Sequence, residues 1–415
     1  MPDSETIYCD DNLQRLAMLP RESVDLIYLD PPFFSNRTYE VIWGDEAEVR
    51  SFEDRWEGGI HHYIEWMRER VMEMWRVLKP TGSLYLHCDW HASHYLKVML
   101  DDICGSENFL NNIVWCYGLG GSSSRYWPRK HDDILWYSRT RNGHYFDADR
   151  IPATSMRMKG QDKKAPDYWD IPTINNMAKE RLGYPTQKPE ALLERIIRSS
   201  SKEGDVVLDP FAGCGTTLVV AHRLRRHWLG IDISPTACNL IQRRLARVGA
   251  LEIRLVGMPQ TVADLHALKP FEFQNWVVDR INGIQANRKS GDMGIDGWTF
   301  MIHDPIQVKQ SESIGRPTVD SFETAIQREK RKRGFIIAFS FGRGAHEEVA
   351  RVKQQGLEIH LVTVEDLLYR LDETFVRMGV NFGLGGMVAA PMPQIDASRR
   401  SAQELVEAER ATLEP

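Results

Sequence analysis

The chain has 415 residues, of which 42% are hydrophobic and 27% charged, and a formal net charge of −6. That length predicts two domains, each large enough to bury its own core. The absence of a long apolar run or a charged-then-apolar leader argues against membrane insertion or secretion and predicts a cytoplasmic chain. The cysteines, Cys9, Cys88, Cys104, Cys116, Cys214 and Cys238, form no C-x-x-C pair, which argues against a zinc or disulfide framework. The negative total does not exclude nucleic acid as a partner, because basic residues can be confined to one cleft.

In chain order, residues 8–13 carry two adjacent acids, Asp10 and Asp11. Residues 25–29 are a short apolar run that reads as a buried strand, so that Asp30, in Asp30-Pro31-Pro32-Phe33, leaves the sheet at a carboxyl end, where open α/β sheets place ligands. Trp66, Met72, Trp75 and Leu78 recur at helical spacing and read as core, followed by a strand at 83–87. Residues 114–183 are irregular, and within them Arg125, Tyr126, Trp127, Arg129, Lys130 and His131 interleave charge with rings, a mixture suited to phosphate contact and base stacking. The second half of 130–137 reads as a strand.

Residues 206–208 form another buried strand that Asp209 leaves as Asp30 leaves the first. Gly213 and Gly215 then permit a tight turn and close backbone approach to a ligand before Thr216 opens a helix. Asp232 ends the next strand, within 228–233. Taken singly, each acid is as readily a helix cap or a solvated turn.

Asp30-Pro31-Pro32-Phe33 resembles the catalytic tetrapeptide of DNA amino-methyltransferases, and Asp209-Pro210-Phe211-Ala212-Gly213-Cys214-Gly215-Thr216 resembles their S-adenosylmethionine loop. With the catalytic motif first, the resemblance is to the beta class, over roughly residues 5–255. It implies a Rossmann-like α/β methyltransferase fold with an inserted target-recognition region at 114–183. It also implies that Asp30 and the Pro31 carbonyl accept hydrogen bonds from an exocyclic amine, with Phe33 stacking on a base turned out of double-stranded DNA. Cofactor residues carried over are Asp209, Phe211, Ala212, Gly213, Cys214 (where the family more often has Ser), Gly215 and Thr216. Asp232 is carried over for the ribose, Asp11 for the adenine end, and Lys188, in Tyr184-Pro185-Thr186-Gln187-Lys188-Pro189-Glu190, for closing the pocket.

A second unit begins near residue 256 and extends to about 385. Gly291-Asp292-Met293-Gly294-Ile295-Asp296-Gly297, then Ile306-Gln307-Val308-Lys309-Gln310, resemble the Mrr-like branch of the PD-(D/E)xK endonucleases, which implies a smaller α/β nuclease-like domain. Gln307 and Lys309, two apart on a strand, share a face. Asp296 and an oxygen of Gln307 suit Mg²⁺, and Lys309 suits orienting the attacking water. Where the family's first helix carries Glu after an aromatic, Gln274 follows Phe273 here; either Glu272 serves as the third metal ligand or the helix supplies no carboxylate. The basic run Arg328, Lys330, Arg331, Lys332, Arg333 suits phosphate contact or a solvated helix end. Residues 386–415 are expected to be a mobile tail.

The expected protein is a DNA adenine N6-methyltransferase fused to an endonuclease. Asp30, where cytosine N4 enzymes more often have Ser, favours adenine; cytosine N4 methylation and a non-cleaving DNA-binding C-terminal unit are the alternatives. One nuclease centre per chain predicts at least transient pairing into a homodimer for double-strand cleavage.

Overall fold

The structure, a computed structural model, describes residues 4–371 except 35–36, 44–47, 55–58, 119–122, 153–156, 158–159, 176–177, 179, 182–186, 282, 287–293 and 300–302. The expected tail, the 184–186 part of the pocket-closing motif and the start of the Gly291–Gly297 turn lie outside the described residues.

Two sheets organise the chain. The larger has the strand order Tyr168–Asp170, Phe109–Cys116, His131–Ser138, Leu78–Cys88, Val24–Leu29, Val206–Asp209, His227–Asp232, Thr6–Cys9, Arg254–Val256. Every pairing is parallel except the two made by His131–Ser138, which runs against both neighbours. The apolar strands at its centre are covered on both faces, as parallel sheets require. Helices Asn12–Met18, Gly59–Val77 and Ser93–Cys104 supply Leu16, Met67, Val71, Leu96 and Leu100 to one core. Helices Glu190–Ser200, Thr216–Arg223 and Pro235–Arg247 supply Leu193, Ile197, Leu218 and Ile241 to the other, around the fully buried Trp228.

From Val24–Leu29 the chain continues to one side of the sheet, and from Val206–Asp209 to the other, so the seam between these neighbours is a topological switch point. Ligands of open α/β sheets bind above such seams. Leu26 lies beside Val207 and Ile27 beside Leu208, which brings the Asp30 and Asp209 motifs together at one edge although the chain between them is long.

One expectation is corrected here. The apolar stripe of helix Gly59–Val77 has a different phase: Tyr63, Met67, Arg70, Val71, Met74 and Trp75 are buried, whereas Met72 is 56% exposed and Leu78 already belongs to the next strand. Within or bordering residues 114–183, three strands of the sheet, ending at Cys116, spanning His131–Ser138 and spanning Tyr168–Asp170, extend the larger sheet.

The smaller sheet has the order Gly283–Gln285, Gly297–Thr299, Pro305–Lys309, Arg333–Ala338, Glu358–Thr363, with antiparallel pairing in the first three strands and parallel pairing thereafter. Helices Val262–Ala267 and Pro270–Arg280 cover one face through Leu265, Phe273 and Val277, and Arg316–Arg328 and Arg343–Gln354 cover the other through Phe322, Ile326 and Val352. Among the described residues, no helix is long and apolar enough to cross a membrane.

Candidate active sites

Asp30 follows its strand directly, and Lys188 Nζ donates to Asp30 Oδ2 at 2.5 Å. The pair is largely buried, with side chains 10% exposed for Lys188 and 18% for Asp30. Asp30 Oδ1 is buried and has no hydrogen-bond partner among the described residues. A buried carboxylate oxygen without a donor is costly, so this oxygen could accept a hydrogen bond from a ligand. Pro31 and Pro32 fix the exit of the chain, and Tyr63 Oη donates to the Pro32 carbonyl at 2.7 Å. Phe34 sits at φ +60°, a left-handed conformation that a bulky residue adopts only when its surroundings impose it. Phe33 lies with its ring centroid 5.6 Å from that of His87 and 4.9 Å from Lys188 Nζ.

Beneath Phe33, the fully buried His87 bonds through Nδ1 to Tyr28 Oη at 2.8 Å and through Nε2 to Asp132 Oδ2 at 3.2 Å. Burial alone would raise the Asp132 carboxyl, but the His87 hydrogen bond and charge, with Lys188 nearby, hold it below the usual range. Sequence reasoning missed this pair, having only Asp132 beside the strand start as a signal.

The loop after Asp209 turns through Gly215 at φ +78°, where an added Cβ would lie 2.9 Å from Ile241 side-chain atoms. Only glycine fits there. The Phe211 amide donates to Asp209 Oδ1 at 3.1 Å, and burial pushes the Asp209 carboxyl up to about 7. Cys214 is buried; its carbonyl accepts from Arg244 at 2.6 Å, and its thiol lies 3.5 Å from the same guanidinium. Asp232 accepts from the Gly213 amide at 2.8 Å and the Ser234 amide at 2.9 Å, and burial brings it up to about 6. Ala212 is buried and Thr216 begins the helix.

Asp11 both caps helix Asn12–Met18 and pairs with Arg70 at 2.9 Å, while Asp10 pairs with Arg15 at 2.9 Å. Arg70, which sequence reasoning missed, also donates to Asn12 Oδ1 at 2.8 Å and lies 3.8 Å above the Trp66 ring, and Asn12 donates to the Pro210 carbonyl at 2.9 Å. An arginine on the apolar face of an amphipathic helix was the available signal. Ile233, 68% exposed beside Asp232, was also missed.

The loop 123–130 joins strands at the same edge as Asp30. Arg129 stacks 3.7 Å from the Trp90 ring and 5.1 Å from Tyr126, and Trp127 is 92% exposed. Arg125 is exposed and Lys130 partly buried.

In the second unit, Asp296 directly precedes strand Gly297–Thr299, and its Oδ2 accepts from the Val308 amide at 2.7 Å. Gln307 is 2% exposed, with Oε1 buried and without a hydrogen-bond partner among the described residues. A buried amide oxygen on the strand paired with the one that follows Asp296 could, with that carboxylate, serve a hard cation. A Cβ on Gly294, at φ +76°, would lie 3.0 Å from Gln307 Nε2, which explains a glycine in that turn. Lys309 lies on the same strand face as Gln307 and is partly exposed. Gln274 Nε2 donates to the Asp296 carbonyl at 3.2 Å. Glu272, one of the two alternatives for a third metal ligand, accepts from Ser234 Oγ at 2.9 Å. Two residues along a helix turn a side chain by about 200°, so Gln274 and Glu272 cannot serve one centre. Arg328 ends its helix exposed, and Arg333 pairs with Asp304 at 2.6 Å, so the basic run is divided between a solvated helix end and a structural ion pair.

Residues 24–243 match the family described as DNA methylase, and residues 265–371 match the family described as restriction endonuclease, Mrr_cat. Type II methyltransferase M.HpaI of Haemophilus parainfluenzae is 30% identical over 296 residues, covering 69% of this chain and 88% of its own. DNA adenine methyltransferase YhdJ of Escherichia coli (strain K12) is 30% identical over 259 residues, covering 59% and 83%. A solved structure, PvuII DNA methyltransferase (cytosine-N4-specific), is 18% identical, covers 61% of this chain and 97% of its own, and has a TM-score of 0.43. A strand-end acid motif beside a glycine loop on a doubly wound sheet is the architecture of an amino-methyltransferase. The chain belongs to the DNA methylase family of N6 and N4 enzymes, and it carries an Mrr-like restriction endonuclease domain.

Proposed function

We propose that the chain methylates N6 of adenine in double-stranded DNA, using S-adenosylmethionine. The endonuclease domain cleaves DNA with Mg²⁺, making a single-chain restriction and modification enzyme of the cytoplasm. The observation that carries the transferase reading is the buried Oδ1 of Asp30, without a hydrogen-bond partner among the described residues, in the motif that Phe33 ends. The lone pair of an exocyclic amine is delocalised into the base ring. Asp30 Oδ1 and the Pro31 carbonyl accept its two hydrogens, which draws the nitrogen towards a tetrahedral shape and localises the lone pair for attack. Lys188 holds Oδ2 so that Oδ1 keeps its aim. The cofactor supplies an electrophilic methyl on a sulfonium. Positioning and fixed dipoles supply most of the acceleration.

The loop 211–216, with Asp232, Asp11 and the exposed Ile233, would hold the cofactor, and Arg125, Tyr126, Trp127, Arg129 and Lys130 would meet DNA. Asp30 in place of Ser, and the likeness to an adenine methyltransferase of Escherichia coli, favour adenine over cytosine. In the nuclease domain, Asp296 and Gln307 would hold Mg²⁺ and Lys309 would orient water. A specific observation favours a second reading, a DNA-binding module without cleavage: an amide, Gln274, stands against Asp296 where the resemblance calls for a carboxylate.

Mass spectrometry of nucleosides from DNA treated with wild type and Asp30→Ala tests the transferase: N6-methyladenine from wild type alone supports it, and N4-methylcytosine as sole product overturns the base assignment. Incubation of many unmethylated DNA substrates with Mg²⁺ or EDTA tests the nuclease. Cleavage only with Mg²⁺, lost in Asp296→Ala, supports hydrolysis, and no cleavage by wild type supports the binding module.

A further inference from the structure

Helix Pro270–Arg280 belongs to the endonuclease core through Phe273 and Val277, yet it also packs against helix Pro235–Arg247 of the methyltransferase. Two of its polar side chains, Glu272 and Gln274, lie about 200° apart and reach different centres. Gln274 Nε2 meets the carbonyl of Asp296 at 3.2 Å, and Glu272 Oε2 receives Ser234 Oγ at 2.9 Å. Ser234 is the residue whose amide is fixed by Asp232 Oδ1 at 2.9 Å, and Asp232 Oδ2 fixes the amide of Gly213 in the glycine loop at 2.8 Å. Hydrogen bonds therefore run from the glycine loop through Asp232 and Ser234 to Glu272.

We infer that this helix is a wall shared by the two centres, and that Glu272 is a positioning residue for the methyl donor, supplied by the restriction domain. The inference rests on the assignment of Asp232 to the donor's ribose. The Asp232–Ser234 turn carries that acid and the exposed Ile233, and its hydroxyl anchor lies in the other domain. Removing the anchor frees the turn, and the donor must then order it on binding. Linkage makes the effect reciprocal: a bound donor stabilises the contact between Ser234 and Glu272, and so the docking of helix Pro270–Arg280. Near Glu272, Asp232 is pushed up first by burial and also by the Glu272 charge, which is consistent with their proximity.

The test is calorimetric titration of S-adenosylmethionine into the full-length wild type, Glu272→Ala, Glu272→Gln and Asp232→Asn, with amide hydrogen exchange of residues 270–280 measured with and without S-adenosylhomocysteine. Glu272→Ala is expected to weaken binding about tenfold, the size of one hydrogen bond to a charged group. Glu272→Gln keeps an acceptor for the Ser234 hydroxyl and should recover most of the loss. The product should slow exchange in the helix of wild type, but not of Glu272→Ala. Unchanged affinity in Glu272→Ala, with binding lost in Asp232→Asn, overturns the inference and leaves the ribose assignment standing. Unchanged affinity in Asp232→Asn overturns that assignment, and the inference with it.

Discussion

Lys188 and Asp30 lie 158 positions apart and meet at 2.5 Å in a largely buried pair. Breaking such a pair leaves one charge uncompensated. Lys188→Met should therefore lower kcat by about 10²-fold, the scale of removing one preorganised group. Single-turnover methylation measures it, and an unchanged rate would mean that Asp30 is oriented without Lys188. Asp209 provides a different check. Burial raises its carboxyl to about 7, well above its value in an unfolded chain, so between about pH 4 and 7 the folded state binds the extra proton. Its contribution to stability is present below the unfolded value and is lost as pH rises through the folded one. Asp209→Asn removes that dependence, so the difference in Tm between variant and wild type should grow more favourable to the variant from pH 5 to pH 7. Parallel Tm profiles would show that Asp209 is not buried in this way.

At the scale of elements, the two strand-end motifs were legible because each combines an apolar run with residues whose backbone restrictions are strong: paired prolines at Pro31 and Pro32, and Gly215, which the fold places at φ +78°. The shared face of Gln307 and Lys309 was legible because alternation on a strand fixes which side chains lie together. What was not legible depends on packing across elements. The phase of helix Gly59–Val77 was misjudged because Met72 satisfies helical spacing yet lies 56% exposed, while the charged Arg70 lies buried. Local periodicity cannot show that a buried arginine finds Asp11 and Asn12 on another helix. Nor can it show that Glu272 faces a different domain. Arg70→Met should therefore destabilise the fold by about 3 kcal/mol, because Asn12 and Asp11 lose a charged partner. Urea unfolding measures this, and a change under about 0.5 kcal/mol, the level of an ordinary surface substitution, would refute the bridge.

At the scale of the molecule, the chain joins two chemistries whose proposed centres share no residue. A methyltransferase acts on one base of one strand, and one active domain per chain suffices. An endonuclease domain with a single set of Asp296, Gln307 and Lys309 can cut one strand at a time. A double-strand break therefore needs two chains on the duplex, or two successive visits by one. If two chains meet, linearisation of supercoiled plasmid should rise more steeply than first order with enzyme concentration when enzyme is limiting, while nicking stays near first order. Mixing wild type with an excess of Asp296→Ala should then convert linear product into nicked circles, because mixed pairs cut one strand. The methylation rate of the mixture should match its total concentration, since Asp296 lies outside the methyltransferase sheet. Linearisation that stays first order and is only diluted by the inactive chain would show that a single chain makes both cuts.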